Sequence, residues 1–170
     1  DIASAIGITF ILANIKLIQG RLHEAVSAYR QSLQLAEIRG APSFLGASDV
    51  YRGLSELLCE QGDLDAATQF LLTARQLGEE GATTGWLQRL CVAQARLKEA
   101  QGDLVGALVL LDEAERQKVR NPLPDRSIAT LKARMWARQG RLTEALSWVR
   151  EQGLSSDDTL SYMCEFDHLT

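Results

Sequence analysis

The chain has 170 residues, 46% hydrophobic and 24% charged, with only three prolines. The low aromatic share of 6%, with heavy use of Leu, Ala, Gln, Glu and Arg, favours helix over sheet and leaves room for one sizeable core. A net charge of −4 excludes the basic excess that drives binding to a phosphate backbone, so no direct contact with nucleic acid is expected.

Residues 2–19 read as a helix with Ile8, Ile11, Leu12 and Ile15 along one stripe. Its longest apolar run, Ala5–Ala13, has about half the length of a membrane span and no basic segment ahead of it. Neither a membrane anchor nor a secretory signal is therefore expected. Gln19-Gly20-Arg21-Leu22 ends this helix, and a second runs to about Arg39, before Gly40-Ala41-Pro42 breaks the pattern. A third helix is expected from about Ser43 to Gln61 and a fourth from Leu64 to Leu77, closed by Gly78-Glu79-Glu80-Gly81. The fifth starts near Thr83 with Trp86, Leu87 and Leu90, and the sixth follows Gly102. Asn121-Pro122-Leu123-Pro124 is the plainest loop, with Asp125 a candidate N-cap for a seventh helix to Gln139. An eighth runs from Leu142 to Gln152, and Ser155-Ser156-Asp157-Asp158 opens another that is still running at Thr170.

One phrase organises this order. Gln-Gly-(Arg/Asp)-Leu occurs at Gly20, Gly62, Gly102 and Gly140, at spacings of 42, 40 and 38 residues, and a fixed phrase at such a period marks a repeat architecture. Each glycine sits where one helix ends in a left-handed residue and the next begins. Five residues after it stands an alanine (Ala25, Ala67, Ala107, Ala145), and seven before it another small residue (Ala13, Ser55, Ala95, Ala133). Small residues at both places let two antiparallel helices approach closely. The second helices repeat an inner stripe: Leu22, Ala25, Tyr29, Ser32; Leu64, Ala67, Leu71, Ala74; Leu104, Ala107, Leu111, Ala114; and Leu142, Ala145, Val149, Gln152. A helix pair cannot bury both its faces alone, so pairs stack. The expected fold is all-α, a right-handed superhelical solenoid of antiparallel helix pairs forming a single domain over 1–170. Its repeats span about 1–41, 42–82, 83–124 and 125–154, with the start of a further repeat helix at 155–170. Both ends read as cut from a longer array, so the chain is expected to be a fragment of a larger protein.

The Gly-plus-two-small-residues pattern resembles the tetratricopeptide repeat (TPR) over nearly all of residues 1–152, with a period longer than the usual 34. Repeats near forty residues are similar to those in the sensor domain of MalT-like regulators, the large ATP-dependent members of the LuxR class. The stretch from Glu144 through Asp157-Asp158-Thr159-Leu160 to Glu165-Phe166-Asp167-His168-Leu169-Thr170 resembles that family's segment between repeats. The resemblance implies a non-enzymatic signal-sensing and protein-interaction domain that binds an effector small molecule or a regulatory protein. It further implies partner domains in the same chain, a nucleotide-binding switch and a helix-turn-helix DNA-binding domain, with self-association as one more mode of partnering. The alternative is a stand-alone TPR scaffold that docks proteins without a small-molecule ligand.

No motif supports catalysis. Gly-x-x-x-x-Gly-Lys-(Ser/Thr), His-Glu-x-x-His and Gly-x-Ser-x-Gly are all missing, so no catalytic residue, metal or cofactor is expected. Three scattered cysteines, Cys59, Cys91 and Cys164, argue for small packed side chains in a reducing, cytoplasmic compartment. His23 reads as a solvated residue just after a corner. The binding candidates lie on the first helix of each pair, which lines the concave face of such solenoids. Counting back six, ten and thirteen residues from the corner glycines gives Asn14, Glu56, Arg96 and Arg134; Phe10, Arg52, Val92 and Thr130; and Asp49 and Arg89, of which all but the apolar Val92 are kept as candidates. The four arginines could face an anionic or hydroxyl-rich ligand, or could be solvated charges that pair with one another.

Overall fold

The computed structural model describes residues 8, 9, 11–13, 15, 16, 19–38, 46–81, 84–117 and 128–153. The described residues of 8–16 are helical. Seven helices follow: α1 (Leu22–Ile38), α2 (Ala47–Glu60), α3 (Leu64–Gly81), α4 (Trp86–Ala100), α5 (Leu104–Arg116), α6 (Ile128–Arg138) and α7 (Leu142–Glu151). The fold is an all-α solenoid of antiparallel helix pairs: α2 with α3, α4 with α5, α6 with α7. The expected breaks at 40–42 and 121–124, the Asp125 cap and the helix over 155–170 lie outside the described residues. Among the described residues, no helix is long and apolar enough to cross a membrane.

The recurring phrase closes each first helix in the same way. At the second corner Gly62 takes φ 82°, its N–H donates to the Cys59 carbonyl at 3.1 Å, and Asp63 N–H reaches back to the Leu58 carbonyl at 3.0 Å. The corners at Gly102 and Gly140 repeat both bonds, and Arg21 donates to Lys16 in the same manner after Gly20. This pairing satisfies carbonyls that the helix end would otherwise leave open. The next residue then starts the second helix in one of two ways. Asp63 and Asp103 accept from the backbone N–H of Ala66 and Gly106 through their side chains, at 3.1 and 2.8 Å. Arg21 and Arg141, which cannot cap, instead grip Glu24 and Glu144 three residues on, at 2.7 and 2.8 Å from Nε. The Gly106 amide, followed by Lys98, holds the Asp103 carboxyl below the usual carboxylate range.

The small positions lie at the helix–helix contacts. Ala13, Ala25, Ala67, Ala95 and Ala107 are fully buried, and Ser55 nearly so. The Ser55 hydroxyl donates to the Ala67 carbonyl on the facing helix at 2.8 Å. One position repeats as a polar tie: Ser48 donates to the Ala74 carbonyl at 2.7 Å, and its counterpart Gln88 to the Ala114 carbonyl at 3.3 Å.

The core sits between pairs as well as within them. Ala25, Ala28 and Tyr29 of α1 meet Val50, Leu54 and Leu57 of α2. Leu71 and Ala74 of α3 meet Leu90, Ala93 and Leu97 of α4, and Leu111 of α5 meets Leu131 and Met135 of α6. Ile8, Ile11 and Ile15 hold the same repeat positions as Val50, Gly53 and Leu57. In the first helix, however, they are 58%, 58% and 44% exposed, with Leu12 at 47%. The later helices press this stripe on the preceding pair's second helix, and no described helix lies against it here. The other departure is in α7, which has no buried residue: Leu142 and Leu146 are exposed and Ala145 is only half-buried.

Gly78 was expected to end α3, yet the helix runs through it to Gly81. Gly78 is buried in close contact with the Trp86 ring, which occupies the space a Cβ would need. This glycine serves packing rather than chain reversal. Gly53 does the same for Tyr29, whose ring and hydroxyl would stand 2.6 Å from an added Cβ. By contrast Gly102, with φ +83°, has nothing within 4 Å of that position. Gly102→Ala should therefore lower the unfolding free energy by about 1 kcal/mol through backbone strain alone. Gly53→Ala should lower it by about 1–3 kcal/mol through overpacking. Urea denaturation of the two variants checks both values.

Candidate functional site

Positions three or four apart lie on one helix face, and the charged residues of α2, α4 and α6 use that rule to build a strip across the first helices. Asp49 starts it. Buried to 8% exposure, it receives both arms of Arg89 from α4, Nε to Oδ1 and Nη2 to Oδ2, each at 2.9 Å. The third Arg89 nitrogen donates to the Thr84 carbonyl at 3.0 Å, which fixes the fork in place. Arg52 lies between Asp49 and Glu56 on α2, at 3.4 and 2.8 Å. Arg96 of α4 then approaches Glu56 at 3.9 Å and bonds Glu60 at 2.6 Å. Three carboxylates and three guanidinium groups thus alternate in one continuous chain, three of whose links run between α2 and α4.

Further along, Glu99 of α4 is buried, and both its oxygens are used by α6. Arg134 Nη2 donates to Oε2 at 2.5 Å and Arg138 Nη1 to Oε1 at 2.7 Å. The Nε of Arg134 is buried without an acceptor. On another side of α6, Lys132 reaches Asp112 and Glu115 of α5 at 2.8 and 3.0 Å. Burial is the largest influence on this ammonium and pulls its pKa down, but the two carboxylates together hold it above the ordinary value.

Beneath the first part of the strip lies Tyr29, whose phenol burial pushes well above its usual range, with Arg52, Glu56 and Asp49 as the nearby charges. Burial also raises the thiols of Cys59 and Cys91. A raised thiol is a poor nucleophile at neutral pH, in keeping with packing roles for both.

The MalT-like TPR region family matches residues 1–170. The chain belongs to that family. Among solved structures, the crystal structure of BtubC (BKLC) from P. vanneervenii is similar, with 16% identity, a TM-score of 0.67, and coverage of 95% of this chain and 70% of that one. At that identity the likeness is one of fold. No curated protein matches. Family and fold together make this MalT-like TPR region a TPR-type interaction domain.

Of the residues singled out from the sequence, Asp49, Arg52, Glu56, Arg89 and Arg96 meet in a single ionic chain. Arg134 is joined to Glu99 instead, and Thr130 is buried at 2% exposure, within the packing of α6. Phe10 and Asn14 lie outside the described residues. Counting back from the corner missed Glu60, Glu99 and Arg138. All three stand within the last turn of a first helix, two or three residues before the corner glycine. Continuing the same three-or-four-residue step past the last counted position would have reached Glu60 and Arg138. Only tertiary contact reveals Glu99.

Asp49→Ala would leave Arg89 and Arg52 without their shared carboxylate in a half-buried setting. The expected loss is roughly 2 kcal/mol, between the values for exposed pairs and for broken buried ones. Chemical denaturation measures it, and a loss under about 0.5 kcal/mol would mark the chain of charges as a solvated surface feature.

Proposed function

We propose that this chain is the signal-sensing and protein-interaction segment of a MalT-like, LuxR-class transcriptional regulator, acting in the cytoplasm beside a nucleotide-binding switch and a helix-turn-helix domain of the same protein. The observation that carries this reading is the family match along the whole chain. The phrase from Glu165 to Thr170, similar to the family's link between repeats, supports it from the sequence. The face that α2, α4 and α6 share is the binding face, with Asp49, Arg52, Glu56, Arg89, Arg96, Thr130 and Arg134 in or under it; Phe10 and Asn14, which lie outside the described residues, join the proposal by their repeat positions in the sequence alone. An effector there acts by preferring one spacing of neighbouring pairs over another. It can shift that balance only by its difference in affinity for the two arrangements. The ion pairs of Arg89 with Asp49 and of Glu99 with Arg134 and Arg138 join neighbouring pairs, so a ligand that engages these groups bears directly on that spacing.

A second reading, a protein-docking TPR scaffold without a small-molecule ligand, draws support from the same charges. Arg52, Arg89 and Arg96 already spend donors on carboxylates of their own chain. Effector-dependent activation of the regulator separates the two. Replacing Arg96 and Arg134 by Ala should weaken the response to effector several-fold without unfolding the chain, although the lost ion pairs lower its melting temperature somewhat. A thermal-shift screen with chemically varied metabolites that stays flat would favour the scaffold, and collapse of the doubly substituted protein would make both arginines structural.

A further inference from the structure

The strip is polarised along the array. At the positions six and two residues before the corner glycine, α2 carries Glu56 and Glu60, α4 carries Arg96 and Ala100, and α6 carries Arg134 and Arg138. The acidic end is neutralised: Arg52, Arg89 and Arg96 answer Asp49, Glu56 and Glu60 one for one. The basic end is not. Two guanidinium groups share the single carboxylate of Glu99, each through one nitrogen, which among the described residues leaves one positive charge in excess. The contrast with Arg89, which uses its full fork on Asp49, is geometric as well as electrostatic. Arg134 spends one terminal nitrogen on Glu99 while its Nε has no acceptor among the described residues. A buried donor without a protein partner is rare, and it leaves this nitrogen open to an acceptor from water or ligand. Arg138 is 52% exposed at its side chain and Arg134 29%, so the pair opens to solvent where Arg52, at 14%, does not.

The geometry points to Arg134 and Arg138 as an oxyanion-binding site for a phosphate or carboxylate group of the ligand, competing with Glu99 for the two guanidinium groups. It rests on the reading of this face as the one that receives ligand, and it moves the charged contact from the four-arginine groove to the α6 end. A planar fork suits a two-oxygen acceptor. Turning Arg134 toward such a group would give its Nε an acceptor, and would loosen the tie through which Glu99 joins α4 to α6.

The test is titration of the nitrogen-15-labelled chain with inorganic phosphate and, separately, with succinate, at fixed ionic strength, read on the arginine Nε–H resonances. Saturable shifts confined to Arg134 and Arg138 are expected, with whichever anion binds more tightly naming the group. Arg138→Ala should weaken binding about tenfold, the worth of one charge-assisted hydrogen bond. Glu99→Gln, which retains a hydrogen-bonding side chain and removes the competing charge, should tighten it. Shifts spread evenly over all arginines, shifts linear in anion concentration, or binding unchanged in Arg138→Ala would overturn the proposal. An effector response that depends on Arg134 while neither anion binds would also overturn it and leave the sensor reading standing. Anion binding as described in a regulator that answers no effector would sink the sensor reading and leave the site.

Discussion

Close approach of two helix backbones at paired small side chains is the constraint from which the rest of the structure follows. The Ser55 hydroxyl bonds directly to a backbone carbonyl of the facing helix, at Ala67. No larger side chain could stand there without pushing the helices apart. Once the pair is that close, the larger residues around it, Leu57, Leu71 and Leu111, have nowhere to go but outward against the next pair, where they form the three inter-pair cores. The turn that brings the helices together and the packing that stacks the pairs are thus two consequences of one pattern.

The same stacking brings the first helices of neighbouring pairs close enough for their charges to meet. On an isolated α2, Asp49 and Glu56 would have only Arg52. In the array Arg89 and Arg96 arrive from α4, and the exposed charges of one helix become half-buried links between two. Ion pairs in that setting are worth more than surface ones because less water screens them, yet each depends on the spacing of the pairs. This gives the charged face a mechanical meaning. The same groups set the distance between repeats, so on the proposed reading of this face recognition and shape would not be separable.

Much of this was readable from residue order, and the parts that were not have physical reasons. The corner glycines, the buried alanines and the inner stripe of the second helices follow from local periodicity, and Ala25, Tyr29, Ala67, Leu71, Ala107 and Leu111 are all buried as that periodicity requires. Gly78 was misread because a glycine that admits a neighbouring ring and a glycine that reverses the chain look identical in one dimension. Trp86, eight residues on, decides between them. Ile8, Ile11 and Ile15 have the stripe of a buried helix, and their exposure shows that periodicity specifies which face seeks cover and not whether cover is present.

What the amino-acid order determined by itself is the architecture: where each helix turns, which side it buries, and which side carries charge. These depend on contacts within a few residues or between neighbours in a fixed repeat. Only the tertiary structure decided which charges are spent and which remain. Arg52, Arg89, Arg96 and Arg134 were equivalent candidates by position. Their partners stand 3 to 40 residues away, on helices whose register is set by the packing beneath them. An ion pair depends on where two side chains end, and that is a property of the assembled array. The difference, among the described residues, between a balanced strip on α2 and α4 and a cationic surplus on α6 therefore exists only once the helices are side by side.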